Sequence, residues 1–205
     1  MEAVGRIWYI STRPSFAMAL PLHAGASHPL TADAIHHAAG RWLPDGKRIV
    51  FVGAESGHRP RYYLQDSPQS PPRAISGEDI LFDRNADDIV LSSDGRQLAA
   101  AMQDQSVQVF PIDGGQPRLV PGVTGLTPVA FCRDESLLVY HSGGMPAHIT
   151  RVNLQTGKRS PWRDLDPPRT GLFGIQPIRV APDCESYAYS AAYSPGIVFV
   201  VSGLK

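Results

Sequence analysis

The sequence predicts an all-β chain of tandem four-stranded antiparallel sheets. Three observations predict it: a composition rich in turn residues, one short hairpin repeated four times, and apolar runs at fixed distances from each hairpin. Nineteen glycines and nineteen prolines stand among 205 residues, well above the roughly 12% that these two residues average together. Many turns between short elements follow from that excess, rather than long helices. A chain of this length can bury one substantial core or a short repeat array.

The hairpins come first because they set the register. Trp42-Leu43-Pro44-Asp45-Gly46-Lys47, Leu91-Ser92-Ser93-Asp94-Gly95-Arg96, Phe131-Cys132-Arg133-Asp134-Glu135-Ser136 and Val180-Ala181-Pro182-Asp183-Cys184-Glu185 share one pattern. Their aspartates lie 49, 40 and 49 residues apart, which is close to the roughly 40 to 50 residues of a propeller blade. The flanks agree in chemistry as well. Three positions before the aspartate stand Trp42, Leu91, Phe131 and Val180; four after it Ile49, Leu98, Leu138 and Tyr187; six after it Phe51, Ala100, Tyr140 and Tyr189. Side chains alternate along a strand, so the last two sets lie on one side of it, and all four segments are expected to bury the same face.

The turn residues Asp45, Gly46, Asp94, Gly95, Asp134 and Asp183 have a structural role in this reading. Aspartate bonds its own backbone, and glycine tolerates a positive φ. Glu135 and Cys184 replace glycine in the last two repeats. Those turns must either adopt a type that does not need glycine or carry strain.

Further strands follow each hairpin. Third apolar runs occur at Tyr62 to Leu64, Val107 to Ile112, Ile149 to Leu154 and Ile197 to Val201. Short fourth runs occur at Pro72-Arg73-Ala74-Ile75, Pro117-Arg118-Leu119-Val120 and Lys158-Arg159-Ser160-Pro161-Trp162. Four short antiparallel strands describe a propeller blade. Upstream, Ile7 to Ile10, Phe16 to Leu22 and His28 to Thr31 read as the second, third and fourth strands of an earlier blade. The expected architecture is a single β-propeller domain over 1–205 with about five blades, at 5–32, 35–77, 87–122, 127–165 and 175–205. The first blade lacks its first strand and the last its fourth. Propellers typically need four to eight blades and hide their edges, so the chain is expected to be part of a larger propeller or a truncated reading frame, with open edges that favour self-association.

The stretch Trp42-Leu43-Pro44-Asp45-Gly46-Lys47-Arg48-Ile49-Val50-Phe51 resembles the Pro-Asp-Gly-Lys hairpin of TolB-like and WD40-like propeller repeats. Asp113-Gly114-Gly115-Gln116-Pro117-Arg118 is similar to that family's turn between the third and fourth strands. The likeness runs from about Ile7 to the end. It is strongest to the C-terminal propellers of bacterial serine/threonine protein kinases, whose final blade ends in a tail similar to Gly203-Leu204-Lys205. The resemblance implies a non-enzymatic module that binds a protein or peptide, or senses a ligand, for a larger bacterial protein. It would be extracytoplasmic if that protein is a membrane-anchored kinase, and cytoplasmic otherwise. An alternative is the accessory propeller of a prolyl oligopeptidase-like hydrolase whose catalytic domain is absent; a third is a gene fragment without independent function.

Charge and composition narrow the partners. Nineteen basic side chains balance nineteen acidic ones and neither sign clusters, which excludes a footprint for nucleic acid. The longest apolar stretch, about Ile197 to Val201, is far short of the roughly 18 residues of a membrane helix. The N-terminal residues lack the basic and apolar segments of a secretory signal, so a soluble chain without membrane insertion is expected. Cys132 and Cys184 form neither a disulfide framework nor a zinc signature, and two free thiols are expected.

Nothing in the sequence supplies a catalytic apparatus. Gly25-Ala26-Ser27-His28-Pro29 fails the nucleophile-elbow pattern at its last position, and the kinase loops are missing. His58-Arg59-Pro60 is a chance echo of a catalytic loop. His23, His28, His36 and His37 crowd one region, yet neighbours on a strand face opposite ways, which disfavours a shared metal. Asp79, Asp83, Asp87 and Asp88 lack the spacing of a calcium loop and read as solvated. No cofactor, metal or catalytic residue is therefore expected. Trp42 and Phe131 fit a core column, and Trp162 fits packing between blades. The long loops Gly53 to Pro60 and Pro167 to Gly174 are the expected recognition surface.

Overall fold

A computed structural model of the chain describes residues 6–10, 17–21, 28–29, 33–67, 70–82, 89–141 and 144–194, with side chains from residue 33 onward apart from Gln176. Every regular element among the described residues is a strand, and every strand pairing there is antiparallel. Blade 1 holds β1 (Arg6–Ile10), β2 (Ala17–Pro21) and β3 (His28–Pro29) in that order. Blade 2 holds β4 (His36–Trp42), β5 (Ile49–Ala54), β6 (Arg61–Gln65) and β7 (Arg73–Ala74). Blade 3 holds β8 (Val90–Leu91), β9 (Gln97–Ala101), β10 (Ser106–Pro111) and β11 (Arg118–Thr124). Blade 4 holds β12 (Thr127–Phe131), β13 (Ser136–Tyr140), β14 (Ala147–Asn153) and β15 (Arg159–Leu165). Blade 5 holds β16 (Leu172–Val180) and β17 (Tyr187–Tyr193); the expected third strand at Ile197 to Val201 lies outside the described residues.

Each complete blade is a meander of consecutive neighbours, and the core lies between blades rather than within them. Val50, Val52, Tyr62 and Leu64 of blade 2 pack against Leu98, Ala100, Phe110 and Ile112 of blade 3. Ala99, Val107 and Val109, on the other side of blade 3, pack against Leu137, Val139, Val152 and Leu154 of blade 4. Leu138, Tyr140 and Ile149 then meet Ile175 and Ile178 of blade 5. Both faces of blades 3 and 4 are thus apolar, which is why β9 and β13 read as continuous buried runs instead of an alternating pattern. The opposite face of blade 2 carries Ile35, Ile49, Phe51 and Tyr63 with Trp42 against them.

The expectation that all four repeats bury the same face is corrected in blade 4. Trp42 pairs with Ile49, Leu91 with Leu98 and Val180 with Tyr187, but Phe131 pairs with Leu137. The closing bond runs from Leu43 N–H to the Arg48 carbonyl in blade 2 and from Cys132 N–H to the Ser136 carbonyl in blade 4. The blade 4 hairpin is therefore one residue shorter, and a one-residue slip turns every following side chain to the other face. Leu98 and Ala100 look back at the preceding blade, while Leu138 and Tyr140 look on to the next. In blade 5, Tyr187 and Tyr189 are exposed rather than buried, at 38% and 37%.

The turns resolve the question of the missing glycines. Gly46 and Gly95 hold φ of 66° and 69°, and Glu135 and Cys184 occupy the same left-handed region at 58° and 56°. The non-glycine turns keep the geometry and accept its strain. Asp45 accepts from the N–H groups of Lys47 and Arg48, Asp94 from Arg96, Asp134 from Ser136, and Asp183 from Glu185 and Ser186.

The two cysteines are not free thiols. Cys132 and Cys184 form a disulfide with Cα atoms 5.5 Å apart. One stands two residues before its aspartate and the other one residue after its own, so hairpins at the same end of adjacent blades bring them together. Arg133 N–H donates to the Pro182 carbonyl beside the bridge. Trp162 of blade 4 donates its indole N–H to the Cys184 carbonyl at 2.9 Å and meets Tyr187 edge-on, so it packs between blades.

Candidate functional site

Strand direction sorts the molecule into two ends. The first strand of blades 2 to 5 runs toward its aspartate hairpin, so those hairpins and the turns at 112–117 and 154–158 share one end. The loops at 55–60, 75–82, 102–105 and 166–171 share the other. Gly53 to Pro60 and Pro167 to Gly174 therefore emerge at the same end of the fold, as a common recognition surface requires.

At that loop end a polar network spans blades 2 and 3. His58 is 2.7 Å from Glu78 Oε1, Arg59 donates to Gln103 Oε1 at 3.0 Å, and Gln103 N–H donates to the Asp79 carbonyl. The His58 contact and the Arg59 N–H hold the Glu78 carboxyl below the usual carboxylate range. Tyr63 donates its hydroxyl to Glu55 Oε1 and accepts from Arg61 Nε, and burial pushes its phenol up. Phe173, within the second loop and at the start of β16, is 85% exposed, an aromatic side chain presented to solvent.

The hairpin end carries a different feature, which the sequence reading did not find. A cavity of about 100 Å³ is lined by residues at the ends of β4, β8, β12 and β16. Its wall includes the residue four before each aspartate: Arg41, Val90, Ala130 and Arg179. Ser93 and Pro182 of the turns complete its mouth. At roughly 30 Å³ per water the space holds about three waters or one short side chain, well below the roughly 300 Å³ at which small-molecule sites begin. Arg41, Arg179 and Ser93 stand there among apolar residues, and the described lining residues include no carboxylate, imidazole or thiol. Arg179 Nη1 donates to the Ile178 carbonyl at 3.2 Å, and the described lining residues include no acid–base pair. The signal for it was the repeat register itself, in which two of four equivalent inner positions are arginine.

The histidines do not converge on an ion. His37 is buried, lies 2.9 Å from Asp33 through Nε2 and stacks on Phe51 with ring centroids 4.3 Å apart, while its strand neighbour His36 is exposed. His23, Asp83, Asp87 and Asp88 lie outside the described residues, as does the side chain of His28. No group of three or more candidate metal ligands gathers among the described residues. No helix there is long and apolar enough to cross a membrane. Of the expected core aromatics, Phe131 is buried between blades 3 and 4, and Trp42 is half-buried on blade 2.

No family model and no curated protein matches the sequence. Solved structures do match. TolB from Acinetobacter baumannii superposes with a TM-score of 0.63 at 16% identity, covering 88% of this chain and 44% of that one. A chain of a nidogen–laminin complex gives a TM-score of 0.61 at 14% identity, covering 87% and 67%. A prolyl endopeptidase gives 0.53 at 13% identity, covering 78% and 26%. The chain thus spans less than half the length of the TolB structure it matches. At these identities the likeness establishes the fold alone, an all-β arrangement of antiparallel propeller blades similar to that of TolB.

Proposed function

We propose that this chain is a non-enzymatic propeller module that binds a protein or peptide, as part of a larger propeller in a bacterial protein such as a membrane-anchored serine/threonine kinase. The axial cavity carries the reading. It sits where four blades meet, it is sized for a side chain rather than a cofactor, and its wall has binding groups without acid–base partners. The nidogen–laminin likeness supports it, since that structure is of a complex between two proteins. The prolyl endopeptidase likeness keeps a second reading in view, an accessory propeller of a hydrolase. The Cys132–Cys184 bridge favours an oxidising compartment, because cytosolic thiols are kept reduced.

The test is a peptide-display selection against the purified chain, with binding of enriched peptides followed by fluorescence anisotropy. Recovery of a peptide family with micromolar affinity that perturbs either end of the axis is the expected result. A selection that returns no binder above background from libraries of differing length and charge overturns the reading.

A further inference from the structure

We propose that Trp162, Arg163 and Tyr187, at the outer junction of blades 4 and 5, form the hot spot for a protein partner that presents an acidic residue beside an apolar one. The proposal rests on the binding-module reading above and gives its partner a chemistry.

A break in strand register creates the cluster. Ile149 pairs with Arg163 and Thr150 with Pro161, so Trp162 is an extra residue on β15 with no partner on β14. Successive side chains of a regular strand face opposite ways, and a bulge re-aims one of them. Both Trp162 and Arg163 consequently reach across the junction to Tyr187. The Trp162 indole meets Tyr187 edge-on with ring centroids 5.5 Å apart, and its bond to the Cys184 carbonyl fixes it there. The Arg163 Cζ lies over the Tyr187 ring at 5.3 Å and over the Trp162 ring at 5.7 Å, within reach of a cation–π contact.

Exposure separates this cluster from ordinary blade packing. The residue four after the aspartate is Ile49 in blade 2 and Leu98 in blade 3, both fully buried. Blade 5 puts Tyr187 there, and Tyr187 and Tyr189 remain exposed on the side of the blade that Ile178 and Val180 turn to blade 4. Arg163 is exposed as well. Among the described residues it has no hydrogen bond and no ion pair, with Glu185 of the adjoining hairpin or any other acid. The rings position the guanidinium, and its five N–H donors are left for an acceptor from outside.

Charge selects that acceptor. Lys158, Arg159 and Arg163, on β15 and the turn before it, form no ion pair among the described residues. The one acid of the strand, Asp164, is engaged by His148 at 2.8 Å. An acidic side chain therefore meets a strand of opposite charge, and the planar fork of arginine takes a carboxylate in two parallel bonds. The exposed tyrosine rings beside it offer apolar area with few side-chain rotations to order. Tryptophan, tyrosine and arginine are the residues that dominate binding energy at protein interfaces.

The experiment uses the whole chain labelled with nitrogen-15 and the blocked peptides acetyl-Leu-Glu-Leu-amide and acetyl-Leu-Gln-Leu-amide. The glutamate peptide is expected to shift the Trp162 indole resonance and the amides of Arg163 and Tyr187 in a saturable way, with the glutamine peptide at least about fivefold weaker. R163Q is expected to erase that difference and R163K to keep part of it. Y187A should weaken both peptides about tenfold, while Y187F binds as wild type. An undisturbed amide spectrum shows which variants are folded, and R163Q, at an exposed position, keeps the test informative if Y187A unfolds. An R163Q variant that is less stable yet still prefers the glutamate peptide shows only a brace between blades and overturns the proposal. Equal shifts from both peptides on wild type, or no saturable shift from either, do the same. A dimer in light scattering that R163Q dissolves would assign the patch to a second copy of the chain and overturn the peptide partner. Each of these leaves the binding-module reading intact; absence of any binder in the display selection is the separate result that removes it.

Discussion

Removing the Cys132–Cys184 bridge should cost about 4 kcal/mol of stability, and the structure supplies the arithmetic. The bridge closes a loop of 52 residues. The chain-entropy relation then gives about 14 cal/mol/K taken from the unfolded ensemble, or about 4 kcal/mol at 25 °C. Both cysteines are buried, at 8% and 2% exposure, so reduction proceeds through opening of the blade 4–5 interface. The perturbation is C132A/C184A, which avoids burying unpartnered hydroxyls, compared with wild type under oxidising conditions and in a phosphine reductant. Urea unfolding followed by circular dichroism reads the change. The alanine pair and the reduced wild type should agree with each other and fall short of the oxidised protein by 2 to 5 kcal/mol, the usual range for a native disulfide. Trp162, whose indole bonds the Cys184 carbonyl, should change emission early in the reduced protein, because the loss begins where blades 4 and 5 are stapled. Equal stability of all three forms would refute the reasoning, as would two titratable thiols in protein unfolded without reductant.

Three further outcomes follow from the turns and the core. Glu135→Gly should stabilise the chain by about 1 kcal/mol, since a left-handed residue without a Cβ is free of strain; a loss of stability in urea unfolding would show that the Glu135 side chain contributes more than its backbone costs. The carboxyls of Asp94, Asp134 and Asp183 are held below the usual range, the first two chiefly by the hydroxyls of Ser92 and Ser136, and the third by the N–H groups of Glu185 and Ser186. For Asp45, burial pushes upward but the Arg48 contacts outweigh it. A depressed folded value means stability fully present above the unfolded value near about 3.9 and lost as pH falls through the folded ones. Asp94→Asn should therefore lower stability at pH 7 and flatten its decline below about pH 4, and an unaltered acid slope in a pH series of urea unfolding would contradict this. Leu98→Ala, at a fully buried position between blades 2 and 3, should cost roughly 2 to 5 kcal/mol, whereas Leu119→Ala, 59% exposed on β11, should cost under about 0.5 kcal/mol.

Most of the fold was legible because one hairpin recurs with its flanking apolar residues, and blades 2 and 3 obey that pattern residue for residue. Blade 4 escaped it for a reason that sequence spacing hides. Asp134 and Glu135 keep the turn, but the hairpin closes one residue sooner, and the slip shows in the pairing of Phe131 with Leu137 and in the hydrogen bond from Cys132 N–H to the Ser136 carbonyl. Leu137, Leu138, Val139 and Tyr140 are all apolar, so no alternation marks which face is which. The disulfide escaped because 52 residues of separation look uninformative along the chain. Expressed as offsets from their own aspartates, minus two and plus one, the cysteines occupy one turn in neighbouring repeats, and repeats stack turn on turn. The arginines at the cavity were visible in the same frame, at the same offset in two repeats, but a single-sequence reading that looks for clusters of acids and histidines passes over them. The loops Gly53 to Pro60 and Pro167 to Gly174 were legible as loops, and topology adds that they share an end.

The register also separates the positions that build the molecule from those available for recognition. Five residues before each aspartate, Ile89 and Ile178 pack into blade-to-blade clusters, and in the hairpin itself Leu43 and Cys132 do the same. Substitution there is felt throughout a close-packed interface. One residue away, four before the aspartate, the position holds arginine, valine and alanine within one chain and lines the cavity in blades 2 to 5, while in blade 3 Val90 also packs into the cluster shared with blade 4. Exchange at that position alters the charge and volume of the cavity, and at Val90 it also alters a contact between blades 3 and 4. Arginine at Arg41 and Arg179 therefore stands where equivalent repeats carry valine and alanine, a choice made at that position and not a requirement of the fold.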